Sequence, residues 1–222
     1  MRIRSVVLVL ASCGFLFAQS EHAKRLVEAA DVLKEVMETP DKGIPQDLLD
    51  KAECAVIVPS LKKGAFIFGA KYGRGFMSCR TGNAGWSAPG SVRVEGGSFG
   101  FQIGGSETDV IMLVMNERGA KRLLSSKFTL GGDASVAAGP VGRTASAETD
   151  AYMRAEILTW SRSRGVFAGI SLQGATLRQD ASANKDLYGH AYENKDIVVK
   201  GVKAPASAAK LLGLLNKYSS RK

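Results

Sequence analysis

The chain has 222 residues, 45 % of them hydrophobic, which is enough apolar material for one domain with a sizeable core, and no linker divides it. Three cysteines without a C-x-x-C pair and two histidines, His22 and His190, leave no metal-ligand spacing. A net charge of +9, combined with the export signal read below, argues against nucleic acid and leaves anionic membrane surface, acidic polymers or solubility as its meaning.

Met1-Arg2-Ile3-Arg4 is basic, and an apolar run over residues 6–17 is broken only by Ser12, Cys13 and Gly14. The run is too short to span a bilayer, so residues 1–18 are expected to be a secretory signal cleaved before Gln19, with one domain over 19–222 in the periplasm or cell envelope. The alternative is Leu10-Ala11-Ser12-Cys13 as a lipoprotein box acylated at Cys13. Over residues 20–39, Leu26, Ala30, Leu33 and Met37 recur at helical spacing, which predicts an amphipathic helix ended by Pro40. That helix covers the sheet or docks on lipid. A short helix opens at Ile44-Pro45 and carries Leu48, Leu49 and Ala52; residues 55–58 then form a strand ending before Pro59.

Lys63-Gly64-Ala65-Phe66-Ile67-Phe68-Gly69 reads as the first of three glycine-punctuated strands. A strand over residues 76–80 and the turn Thr81-Gly82-Asn83-Ala84-Gly85 follow, ahead of Trp86. Cys54 and Cys79 are either bridged or two buried thiols in neighbouring strands. In the second glycine-rich strand, Phe99, Phe101 and Ile103 alternate with Ser98, Gly100, Gln102 and Gly104; a turn at Gly104-Gly105-Ser106-Glu107 leads to an apolar strand over 110–115, and the two predict a hairpin. Asn116 caps a short helix through Leu124. Residues 152–161 form a strand that Arg162-Ser163-Arg164-Gly165 turns into the third glycine strand; residues 180–188 are helical, 197–199 a short strand, and Pro205 opens a last helix burying Ala208, Leu211, Leu212, Leu215 and Tyr218. The fold class is α+β: a glycine-rich antiparallel sheet coiled towards a small barrel, flanked by N- and C-terminal helices. The 25 glycines serve barrel geometry or a ligand pressed against their bare faces.

Gly96-Gly97-Ser98-Phe99-Gly100 matches the G-x-S-x-G pattern of hydrolases, but the strand alternation runs on past Ser98, where a nucleophile elbow turns into a helix. The chain has no P-loop, no dinucleotide fingerprint and no H-E-x-x-H, and Glu148, Asp150 and Glu156 lack the rhythm of a calcium loop. No catalytic residue, metal ligand or cofactor is assigned. The basic residues carry more: Lys62, Lys63, Lys71 and Arg74 flank one glycine strand, and Arg162 and Arg164 precede another. Loops sharing one end of the sheet would gather these six for phosphate head groups.

The blocks Lys63–Gly69, Gly73-Arg74-Gly75, Trp86-Ser87-Ala88-Pro89, Ser98-Phe99-Gly100-Phe101-Gln102-Ile103-Gly104-Gly105, Gly139-Pro140-Val141-Gly142-Arg143 and Ser161-Arg162-Ser163-Arg164-Gly165-Val166-Phe167-Ala168-Gly169 resemble, in this order, the SYLF domain. The resemblance runs over nearly all of the chain from Gln19. Eukaryotic members of that family pair the domain with SH3 or FYVE modules and bind phosphoinositides and other anionic lipids, and yeast members also bind and bundle actin. It implies a lipid-binding module without known catalysis. The expected function is therefore non-catalytic binding of anionic phospholipid or phosphoinositide-like head groups. The alternative is a structural or protein-binding envelope module, of the actin-binding type by resemblance, without a lipid ligand.

Overall fold

Ser20 accepts a hydrogen bond from the Ala23 N–H at 3.2 Å and opens helix α1 (Glu21–Glu38). The structure, a computed structural model, describes residues 20–39, 43–65, 68–82, 85–99, 104–141, 154–163, 166–170 and 172–219. The signal segment, Cys13 and Arg164 lie outside the described residues. On α1 the buried stripe, Leu26, Ala29, Ala30, Val32, Leu33 and Val36, is wider than the predicted one, and Met37 sits at its margin. A short helix α2 (Gln46–Lys51) follows and buries Leu48 and Leu49.

Strands β1 (Cys54–Ala65) and β2 (Phe68–Cys79) pair antiparallel, with Ala65 opposite Gly69. The chain therefore reverses inside the stretch 63–69, which was expected to be one strand. The predicted hairpin after it is also corrected. Strand β3 (Gly90–Phe99) pairs with β2, whereas β4 (Gly104–Val114) pairs with β1, so the β1–β2 pair stands between them. Gly104 and Gly105, expected in a turn, lie in β4 opposite Ala65 and Gly64. Alternation reports that a segment is a strand; it does not report its partner. Ser98 lies within β3, and the next described residues, from Gly104, are a strand again rather than a helix.

Asn116 caps α3 (Glu117–Leu123), its side-chain oxygen accepting from the Gly119 N–H at 2.8 Å. Five short strands complete the sheet: β5 (Lys127–Thr129), β6 (Val136–Ala138), β7 (Ile157–Ser163), β8 (Val166–Gly169) and β9 (Thr176–Gln179). The order is β5-β9-β3-β2-β1-β4-β7-β6, with β8 also on β7. Every pair is antiparallel except β6 with β7. Helix α4 (Ala181–Tyr188) starts at Asp180 as expected. The segment expected as a strand at 197–199 is instead the end of helix α5 (Asn194–Val199). Asn194 decides this, because its side chain donates to Ser91 O at 2.9 Å and accepts from Asn184 at 2.8 Å, anchoring a helical turn that buries Ile197 and Val198. A 3₁₀ turn (Ala206–Ala208) leads into α6 (Ala209–Tyr218), which buries Leu211 and Leu215.

β1 does not stop at Pro59. Between Val58 and Leu61 it carries one residue more than β4, and Ser60 takes φ 55°, with its N–H donating to Asp109 Oδ1 at 2.9 Å. This is a β-bulge, where a proline that cannot donate to the ladder is tolerated. The sheet buries both faces. Ala55, Ile57, Phe76, Ile111, Leu113 and Trp160 pack beneath α1 and α6, while Val56, Val58, Leu61, Met77, Val110 and Met112 pack with Phe128, Leu130 and Leu177 on the other side. These two layers and their flanking helices give the expected α+β, barrel-like curl.

Glycines permit the close approaches that curl requires. A Cβ at Gly75 would lie 2.1 Å from Ile57 O, and one at Gly139 2.0 Å from Trp160 Cε2. Gly64 has open space instead. Gly139→Ala is expected to cost about 1–3 kcal/mol in urea denaturation through overpacking, and Gly64→Ala to stay within about 0.5 kcal/mol; equal costs would refute the packing account. Cys54 and Cys79 are directly opposite in the β1–β2 register and disulfide-bonded. Bridging residues 25 apart in sequence restricts the unfolded chain, so reduction or the Cys54→Ala/Cys79→Ala pair should lower unfolding free energy by about 3 kcal/mol. Denaturation with and without reductant measures this, and the double variant should be indifferent to reductant.

Candidate functional site

The bulge sets which way the basic residues point. With Leu61 returned to the layer of Val58, the next residue, Lys62, projects on the α1 face and Lys63 on the opposite one. Across the register Lys62 stands by Tyr72 and Glu107, and Lys63 by Lys71 and Ser106. The six predicted cations therefore do not form one cluster. Lys62, Arg74 and Arg162 share the α1 face, Lys63 and Lys71 share the other, and Arg164 is outside the described residues.

Two of the three on the α1 face are already committed. Arg162 donates to Asp109 Oδ2 from Nε at 3.0 Å and Nη2 at 2.8 Å, and also pairs with Glu35 of α1. It is a clamp between helix and sheet. Arg74 donates from Nε to Tyr72 Oη at 2.8 Å and lies 3.2 Å from Asp180 Oδ2, whose side chain is only 2 % exposed. Sequence reading missed Glu35, Asp109 and Asp180 as partners, because strand register and helix docking bring them in. Asp180 alone left a local signal, standing where a helix N-cap belongs.

A groove of about 540 Å³ runs between α1 and this rim, lined by Glu21, Arg25, Glu28, Lys62, Tyr72, Arg74 and Glu107. Its three acids match its three bases, so its lining carries no net charge. A second cleft, about 650 Å³, lies at the disulfide end of β1 and β2 and is lined by Cys79, Arg80, Lys121, Leu124 and Val199 among others. Among the described residues no group of His, Cys, Asp and Glu gathers to hold a metal. Glu156 is held by Arg118 and Arg122.

Lys62, Lys63 and Lys71 differ from the arginines. Among the described residues none of the three makes an ion pair, not even Lys62, which stands opposite Glu107. Tyr72, opposite Lys62 on the α1 face, is 44 % exposed. Burial first, and then the neighbouring charge on Lys71, hold the Lys63 ammonium below the ordinary lysine value.

The family model described as Ysc84, "Las17-binding protein actin regulator", matches residues 95–218, more than half of the chain. The SH3 domain-containing YSC84-like protein 1 of Rattus norvegicus is 32 % identical over 200 residues, 87 % of this chain and 58 % of that protein. The human counterpart is 31 % identical over the same shares. Protein YSC84 of Saccharomyces cerevisiae is 33 % identical over 178 residues, 79 % of this chain and 38 % of the yeast protein. The chain belongs to the Ysc84 (SYLF) family. It spans less than two thirds of the length of these Ysc84 relatives. The matched residues of the Ysc84 model include Arg162 and Asp109, the clamp, but begin after the β1–β2 pair that carries Lys62, Lys63 and Lys71.

In this Ysc84 domain, Asp180 shows how the clamped charges act on stability. Burial alone would raise its pKa, but hydrogen bonds from the Ser182 hydroxyl and the Ala183 N–H, with the Arg74 charge, outweigh burial and hold it below 3.8. Its stabilisation is thus present above that value and lost as pH falls through the lowered one. Asp180→Asn should lose about 1–2 kcal/mol at pH 7, and its deficit against wild type should shrink in urea titrations below pH 4. A deficit independent of pH would overturn this assignment.

Proposed function

We propose that this protein is a non-catalytic module that binds anionic phospholipid surfaces peripherally through the tip of the β1–β2 pair. The observation that supports this most is the set of three lysines, Lys62, Lys63 and Lys71, that stand there without ion pairs while Arg74 and Arg162 are held by carboxylates. Exposed Tyr72 gives the same tip an amphipathic ring suited to an interface. Each ammonium near an anionic surface contributes about 1 kcal/mol, so binding is weak, reversible and sensitive to salt. In this reading, residues 1–18 direct export and the surface is that of the cell envelope.

A second reading rests on the family description, which names a Las17-binding actin regulator: the same lysines would meet an acidic protein surface. Co-sedimentation of the chain from Gln19 onward with neutral vesicles and with vesicles doped with anionic lipid separates the two. Binding only to anionic vesicles, lost in high salt, is expected. The triple variant Lys62→Glu/Lys63→Glu/Lys71→Glu, with an unchanged circular dichroism spectrum, should bind about 100-fold less or not at all. Full binding by that variant would remove the tip from consideration, and indifference of the wild-type protein to all vesicles would favour the protein partner.

A further inference from the structure

Lys63 and Lys71 occupy directly opposite positions of neighbouring strands and point to the same face. Like charges so placed repel one another, and here no carboxylate among the described residues pairs with either. Lys71 and, from β4, Ser106 stand beside Lys63; Lys62 and Glu107 project from the other face of the sheet. Lys63 is half-buried, next but one in the strand to fully buried Leu61. Two amines with unequal tasks fit such a pair: one stays charged and attracts an anion, and the other gives up its proton and becomes a nucleophile.

We propose that Lys63 is a reactive amine that forms an imine with small anionic aldehydes, with Lys71 holding the negative group. The neutral Nζ of Lys63 attacks the carbonyl carbon, forming the N–C bond while the carbonyl oxygen takes up a proton. The carbinolamine then loses water, leaving the C=N double bond, so no oxidant or reductant is consumed. The depressed basicity of Lys63, caused by burial and by Lys71, leaves more of its amine neutral near physiological pH than on an ordinary surface lysine. The reaction requires no membrane, so it stands apart from the lipid reading of the same strands.

The test treats the purified protein with limiting glyoxylate, or with propionaldehyde as a neutral control, in the presence of cyanoborohydride, and maps adducts by peptide mass spectrometry. Lys63 is expected to carry severalfold more adduct than Lys62 or the exposed Lys24, and the preference should be larger for glyoxylate than for propionaldehyde. Lys71→Gln should slow labelling of Lys63 with both reagents and remove the advantage of glyoxylate. Lys71→Arg, which keeps the charge, should preserve both effects. Labelling spread over the lysines in proportion to exposure would overturn the proposal, as would a Lys63 preference unchanged in Lys71→Gln.

Discussion

Strand β1 holds one residue more than its neighbours between Val58 and Leu61, and the orientation of everything beyond that point depends on it. Because side chains alternate with a period of two, one added residue exchanges the faces of a whole strand segment. Without it, Leu61 would point towards α1 and Lys63 would take the place of Lys62. Pro59 gives up a ladder hydrogen bond, Ser60 absorbs the extra residue at a positive φ, and its N–H finds Asp109. Asp109 is in turn the carboxylate that Arg162 holds, and Arg162 reaches Glu35. The bulge, the docking of α1 and the facing of the lysines are thus one connected arrangement.

The two ends of the β1–β2 pair are built differently. At one end the chain is tied by the Cys54–Cys79 bond and by Arg80, which donates to the carbonyls of Leu49, Ala52 and Ser219 and stacks 4.1 Å from the Trp86 ring centroid. That end joins sheet, α2 and the C-terminal residues into one unit. At the other end the lysines project and Gly64 has open space around it. A module can present a charged tip without loss of fold when its covalent and hydrogen-bonded restraints lie far from that tip.

Helices were legible where period and caps agreed. Asn116 marked an N-cap that the structure keeps, the spans read as helical from 20 and from 180 are helices, and Pro205 precedes the last one. Several strands were legible as strands, but their ends and their partners were not. The Gly104-Gly105 pair looked like a turn because glycine is common in turns, whereas its role is to face Gly64 and Ala65 across a ladder. Ile197 and Val198 looked like a strand because β-branched residues favour one, and the side chain of Asn194, bonded to distant Ser91, overrides that preference. The basic site suffered most, since face assignment needs the bulge count and neutralisation needs Glu35, Asp109 and Asp180, which come from other elements.

Net charge therefore overstates what the surface offers. Several cations are matched by an acid one helical turn away, as Lys34 is by Glu38, Lys121 by Glu117 and Lys200 by Asp196, and such pairs leave little field beyond their own turn. Arg118 and Arg122 converge on Glu156, and the groove beside α1 balances its own charges. What distinguishes the β1–β2 tip is that, among the described residues, no acid pairs with Lys63 or Lys71, more than the number of cations. The proposed contact with an anionic surface would draw roughly 3 kcal/mol from three ammonium groups, which suits one made and broken rapidly. The pairing of half-buried amines on which the proposed anion contact rests is also what lowers the basicity of Lys63, so both proposals draw on one arrangement of two strands.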